Sequence, residues 1–172
     1  MNEHKKQNEI AVVQARLDET PLLSAMAYEI WRQHFPPIVG QTLVDYLLDK
    51  IQSSEAMAHQ IREENIVYYF LTFNGEKVGY MAVRVEGDVL FLSKFYLKKE
   101  FRGKGIARVG MNYFEDFCRQ RHLKKIYLHV NRKNLGVIKI YEKLGLKNVG
   151  AKVTEMGHGF VMDDYVMEKT IS

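Results

Sequence analysis

The stretch from Ile66 to Leu97, "IVYYFLTFNGEKVGYMAVRVEGDVLFLSKFYL", constrains the fold of this chain more than any other. Three runs rich in aromatic and β-branched residues are separated by Asn74-Gly75 and Gly87-Asp88. Such dipeptides supply the positive φ that tight hairpin turns need, so three consecutive antiparallel strands are expected here. Upstream, "IAVVQARL" (10–17) reads as a strand. "ETPLLSAMAYEIWRQHF" then reads as a helix, with Thr20 as N-cap, Pro21 at the first helical position and Pro36-Pro37 as its stop. Leu43, Tyr46, Leu47 and Ile51 recur at helical spacing, which predicts one or two further helices.

Downstream, Ile106, Gly110, Tyr113 and Phe117 fall along one helical face. "KKIYLHV" reads as a strand, "NLGVIKIYEKLGL" as a helix closed by Gly145, and "FVMDDYVMEK" as a closing strand. The order β, helices, β-β-β, helix, β, helix, β-β predicts an α/β (α+β) fold: a mixed, mostly antiparallel sheet with helices on both faces. The 172 residues suffice for one domain with a sizeable core, and no linker or repeat divides them, so residues 1–172 are read as a single domain. The first seven residues and the terminal "KTIS" are expected to fray.

Composition removes several classes of function. A 27% charged and 47% apolar content is that of a globular chain. The single cysteine, Cys118, excludes a disulfide framework, and no signal peptide or membrane span is present, so a cytoplasmic location is expected. The histidines are scattered singly and no metal-ligand spacing occurs, so no metal is expected. A net charge of +4 permits an anionic ligand without demanding nucleic acid, and Glu100 interrupts the basic run around residues 98–108, so no nucleic-acid partner is expected.

The chemistry concentrates at "FRGKGIA" (101–107), between a strand ending in "FYL" and a helix. Glycines at a helix start let successive N–H groups face an anion, and the helix dipole adds to their field. Arg102, Lys104 and Arg108 bring positive charge to the same point. The segment lacks the glycine spacing and Lys-Ser/Thr ending of a P-loop, and no G-x-G-x-x-G occurs. An exposed basic helix cap is the plainer reading of the loop alone. Further on, Asn134 opens a helix that carries Tyr141 seven residues later. Taken singly, Asn134 reads as an N-cap, Lys143 as a solvated cation and Tyr141 as a core residue beside Val137 and Leu144.

Together these segments resemble the GNAT superfamily of acetyl-CoA-dependent N-acetyltransferases. "RGKGIA" matches that family's R/Q-x-x-G-x-G/A signature, "LFLSKFYL" stands before it as the family's strand does, and "VNRKNLGVIKIYEKLGL" resembles its second cofactor segment. "VGQTLVDYLL" and "MDDYVMEK" are similar to segments of bacterial polyamine (spermidine/spermine) N-acetyltransferases. The resemblance implies a GNAT-like fold, splayed at the cofactor, and transfer of an acetyl group from acetyl-CoA (coenzyme A) to a primary amine, with a small polyamine-like acceptor as the first expectation. It implies that Arg102, Gly103, Lys104, Gly105, Ile106, Ala107 and Arg108 cradle the pyrophosphate. Phe95, Tyr96 and Leu97 would pair with the pantetheine arm, across a gap from "KKIYLHV", and Asn134 and Lys143 would assist. Tyr141 would protonate the leaving thiolate, and a strand amide near Phe95 or Leu97 would polarise the carbonyl.

One departure matters. Many members carry a glutamate on the strand before the loop, where this chain has Ser93 and Lys94. An alkylamine of pKa near 10.4 is only about 0.1% neutral at pH 7.4, a deficit of roughly 4 kcal/mol. Glu29, His34, His129, Asp163 and Asp164 are the candidate bases, and none is positioned by the sequence. Trp31, His34, Phe35 and Tyr46 are candidate acceptor-wall residues, and Glu29, Asp45, Asp163 and Asp164 candidate polyamine carboxylates. A protein or peptide amine, or a non-catalytic acyl-CoA sensor, are the alternatives. Exposed sheet edges lead to the expectation of a homodimer.

Overall fold

The computed structural model describes residues 7–172. Within these residues, seven strands form one sheet in the order β1-β2-β3-β4-β5-β7-β6. They are β1 (Ile10–Gln14), β2 (Val67–Phe73), β3 (Glu76–Glu86), β4 (Val89–Leu97), β5 (Lys125–Asn131), β6 (Lys147–Gly157) and β7 (Phe160–Thr170). Among the described residues six α-helices accompany them: α1 (Thr20–His34), α2 (Pro36–Val39), α3 (Gln41–Ile51), α4 (Ser54–Glu63), α5 (Ile106–Gln120) and α6 (Leu135–Lys143). All neighbouring strands are antiparallel except β4 and β5, which run parallel.

The three-strand meander forms where the turn signals place it. Asn74 and Gly75 have φ of 50° and 83°, the paired positive values of a type I′ turn, which matches the twist of the flanking strands. On one face of the sheet, α1 and α4 pack Leu23, Ala27, Ile30 and Met57 against Tyr68, Phe70 and Tyr80, and α3 joins them with Val44, Leu47 and Leu48 beside Trp31 and Tyr96. On the other face, α5 and α6 pack Ile106, Met111, Phe114, Tyr141 and Leu144 against Leu71, Met81, Leu90 and Ile126. Full burial of each large apolar side chain contributes about 1.5–3 kcal/mol, so these two layers hold the sheet between them. Among the described residues, no helix is long and apolar enough to cross a membrane.

Several sequence expectations need correction. Strand β1 stops at Gln14 and a single 3-10 turn, Leu17–Glu19, follows it. Thr20 lies inside α1 rather than capping it, and its hydroxyl meets Ser54 Oγ at 2.8 Å. Pro36-Pro37 do end α1, yet they also open α2, because fixed φ and a missing N–H suit a first helical turn. On α5 the buried row runs through Ile106, Gly110, Phe114 and Cys118, while Tyr113 is turned outward. The expected frayed start falls mostly on residues 1–6, outside the described residues. The "KTIS" end is not loose: Lys169 and Thr170 belong to β7, Lys169 donates to the Leu144 carbonyl at 2.8 Å, and Ile171 N–H donates to Lys124 O at 2.8 Å.

Lys94 is buried beneath α3 and α4, where its ammonium donates to Ile51 O at 3.0 Å, Gln60 Oε1 at 2.9 Å and Tyr68 Oη. Burial pulls its pKa down from 10.5 to about 7, with Glu64 opposing weakly. Between those values the unfolded chain binds a proton that the native chain releases, so stability rises with pH across that window and is flat below it. Urea unfolding should therefore show native stability climbing by about 1 kcal/mol per pH unit between about pH 7.5 and 9.5. Lys94→Met should flatten that slope, and an unchanged slope would contradict the assignment.

Candidate active site

Strands β4 and β5 are neighbours over three pairs only, Val89–Lys125, Leu90–Ile126 and Phe91–Tyr127, and then diverge. The divergence has a local cause. Ala82 of β3 faces Lys94 while Val83 faces Leu92, so Ser93 has no counterpart and forms a β-bulge. A bulge bends its strand and increases the twist, which turns the rest of β4 away from β5. Between the diverging ends lies a cavity of about 760 Å³. It reaches from the glycine loop, past α6, to a chamber beneath α1, α2 and α3 that is floored by the β6–β7 hairpin.

At the loop end, Gly103 and Gly105 take φ of +76° and +81°. Apart from the adjoining residues of the chain, no atom of the described residues lies within 4 Å of where a Cβ would stand at either position. The left-handed backbone, and the room left in front of it, are what glycine provides here. No side chain of the described residues caps α5. Among the described residues, the N–H groups of residues 103–108 have no protein acceptor, so six donors are left at the positive end of a helix dipole. Arg102, Arg108 and Lys143 border the cavity there, and Arg108 also donates to the Lys143 carbonyl at 3.0 Å, tying α5 to the end of α6. Lys104 departs from the sequence expectation: its ammonium sits over the Phe73 ring, 5.8 Å from the centroid, and away from the cavity.

Every other residue expected at the cofactor borders the cavity. Phe95, Tyr96 and Leu97 pair with β3 on one side only, leaving their other main-chain edge toward the gap. Asn134 does not use its side chain as a helix cap. Instead its Oδ1 lies 3.0 Å from His34 Nε2, which must donate, so α1 is linked to the start of α6, and among the described residues the Asn134 amide nitrogen has no acceptor. Burial lowers the His34 pKa, and nearby Arg102 lowers it further against the Asn134 bond, so the ring is neutral near pH 7. Tyr141 is 8% exposed, stacks on Phe95 at 6.0 Å and faces the cavity. Burial raises its pKa, which keeps the phenol protonated.

Trp31, Phe35 and Tyr96 form one aromatic wall of the chamber, with centroids 4.5 to 6.2 Å apart. Met156 and Met162 pack against it from the hairpin. Tyr46 stands behind, its hydroxyl donating to Met156 O at 2.6 Å. Of the carboxylates proposed from sequence, only Asp164 borders the cavity. Glu29 pairs with Lys98 at 3.5 Å, Asp45 accepts from Gln41 at 2.8 Å, and Asp163 pairs with Arg132 at 2.6 Å. Of these four candidates, three are therefore engaged outside the cavity and Asp164 alone faces it. Ser93 borders the cavity at the bulge, while Lys94 is directed under α3 and α4. His129 also borders the cavity, half-buried beside Phe91 and Tyr127, and burial lowers its pKa. Neither the bulge nor the contributions of Thr154, Met156 and Met162 had a sequence signal, because a bulge depends on the register of two strands.

Comparison with known proteins decides the family. The acetyltransferase (GNAT) family model matches residues 24–146. The chain belongs to the GNAT acetyltransferase family. A Mycobacterium tuberculosis protein described as an uncharacterized N-acetyltransferase is 27% identical over 150 residues, covering 87% of this chain and 96% of that one. The spermidine N(1)-acetyltransferase of Thermoplasma acidophilum is 21% identical over 164 residues, covering 93% and 96%. The crystal structure of the PaiA N-acetyltransferase from the same organism, in complex with coenzyme A, superposes with a TM-score of 0.76 at 19% identity, covering 94% and 99%, which places the fold.

As a GNAT acetyltransferase the protein uses acetyl-CoA as acetyl donor. Its own residues fit that group: unpaired helix N–H donors and three cations suit phosphates, and a slot between strands suits an extended amide-bearing arm. Arg102→Ala should weaken acetyl-CoA binding by about tenfold or more, the value of one charged hydrogen bond. Lys104→Ala should change it less than about threefold, since that side chain is turned to Phe73. Calorimetric titration of both variants checks the contrast, and equal losses would contradict it.

Proposed function

We propose that this GNAT acetyltransferase acetylates the terminal primary amine of a small aliphatic, polyamine-like molecule. The observation that carries this reading is the continuity of the cavity from the glycine loop, past Tyr141, into a chamber walled by Trp31, Phe35, Tyr96, Met156 and Met162. A slim alkyl chain ending in an ammonium suits such walls: methylenes pack on the aromatics and the cation is attracted to their faces. The likeness to a spermidine N(1)-acetyltransferase supports the same class of acceptor.

When bound, acetyl-CoA supplies the activated thioester carbonyl. The N–H groups of residues 103–108, with Arg102 and Arg108, hold the phosphates, and Lys143 adds charge at the mouth. The open edge of β4 at Phe95–Leu97 aligns the pantetheine arm as a surrogate strand, and one of its amides polarises the carbonyl oxygen. Asn134, fixed by His34, directs its amide nitrogen to the same arm. Tyr141 holds its phenolic proton in readiness for the leaving sulfur.

Free-thiol release from acetyl-CoA, measured across spermidine, spermine, simple diamines, lysine peptides and peptides with free α-amines, tests this reading. Turnover should require an aliphatic amine, and Tyr141→Phe should lower kcat by about 10²–10⁴-fold while acetyl-CoA binds as before. Equal turnover in that variant would remove the acid role. Turnover with peptides alone would move the acceptor to protein termini or side chains. Silence with acetyl-CoA still bound would favour a sensor.

A further inference from the structure

The chamber contains a carboxylate that the fold does not use. Asp164 stands on β7, opposite Asn131 of β5 and Lys152 of β6. It is 9% exposed, borders the cavity, and its Oδ1 is buried without a hydrogen-bond partner among the described residues. A carboxylate buried in this way costs stability unless a partner arrives. The groups around it are few. Adjacent Asp163 is held by Arg132 at 2.6 Å. Lys152 is exposed on β6 and Asn131 Oδ1 accepts from Lys133 N–H at 2.9 Å. Tyr96 and Tyr141 border the same cavity as Asp164. His129 stands further along β5, opposite Val166.

We infer that Asp164 is the general base that takes the proton from the incoming ammonium, in the place of the glutamate this chain lacks on β4. The inference rests on the amine-acetyltransferase reading above. The amine enters as R–NH₃⁺, and one proton passes to Asp164. The freed nitrogen lone pair forms the C–N bond as the carbonyl π pair moves to oxygen. When that pair returns, the C–S bond breaks and the sulfur takes the Tyr141 proton. The nitrogen sheds its second surplus proton, which restores the phenol through solvent, and Asp164 gives its own proton to solvent. One ammonium and one thioester thus become one amide, one thiol and one proton. Burial, then Asp163, raises the carboxyl from 3.8 to about 6, with Lys152 opposing, so it is mostly ionised at pH 7 yet a stronger base than an ordinary aspartate.

The test is the pH profile of kcat/KM for wild type, Asp164→Asn and His129→Gln, with acetyl-CoA affinity measured beside each. Wild type should lose activity as pH falls through about 6, at the same pH for amines of different basicity. Asp164→Asn should be slower by about 10²-fold or more at pH 7, with the deficit closing as pH approaches the amine's own pKa, and with acetyl-CoA affinity unchanged. An amine of pKa about 8 should lose less than one of pKa about 10. A variant with wild-type rate and profile would overturn the assignment, as would an acid limb that persists in Asp164→Asn and disappears in His129→Gln. Should Asp164→Asn not fold, the wild-type series alone decides: a limb that follows the pKa of the amine overturns the inference. Wild type that binds acetyl-CoA and acetylates no amine would instead overturn the transferase reading beneath it.

Discussion

A parallel pair of strands that separates inside a protein leaves rows of main-chain donors and acceptors without partners, and the rest of this structure is arranged around that separation. Strand β4 parts from β5 after Phe91 because Ser93 is an extra residue in its pairing with β3. Buried peptide groups require partners, so the gap must be filled by solvent or by something that imitates a strand. The chain leaves β4 into the glycine loop and α5, and leaves β5 into Asn134 and α6, so two helix starts lie at the same gap. The sheet thus sets both the slot for an extended arm and the electropositive mouth that anchors it.

The two ends of the cavity have opposite electrostatic characters. Among the described residues, the mouth offers cations and unpaired N–H groups, whereas the chamber under α1–α3 is mainly aromatic and aliphatic, with Asp164 as its one carboxylate. Burial there acts in a consistent direction, since it disfavours whichever form of a group is charged. It keeps the Tyr141 phenol protonated and the His34 ring neutral, and raises the Asp164 carboxyl toward neutrality. Lys94 shows the same effect outside the cavity. An ammonium entering the chamber meets the same pressure, which favours release of its proton to a nearby base.

Much of this was legible in the sequence, and the reasons differ by element. Asn74-Gly75 and Gly87-Asp88 announced the meander because turn chemistry is local. Gly103 and Gly105 announced the loop because few other residues accept their φ. The spacing from Asn134 to Tyr141 set both on one helix, and the family resemblance, rather than the spacing, turned that helix toward a cofactor. What stayed hidden depends on contacts between distant segments. Ser93 is a bulge only through the register of β3, and Lys94 turns under α3 and α4 only because the bulge resets the face. Asp163 and Asp164 are neighbours in sequence, yet strand alternation sends one to Arg132 and the other into the chamber. Lys104 shares a loop with Arg102 but is drawn to Phe73.

The central claim is that acetyl-CoA occupies the main-chain gap itself. Amide hydrogen exchange, compared with and without saturating acetyl-CoA, tests it most directly because it reports on main-chain N–H groups residue by residue. The account predicts slowed exchange in residues 95–97 and 103–108, with the β1–β2 pair little changed. Tight binding that leaves residues 95–97 and 103–108 unprotected, or that protects a surface away from the gap, would contradict it.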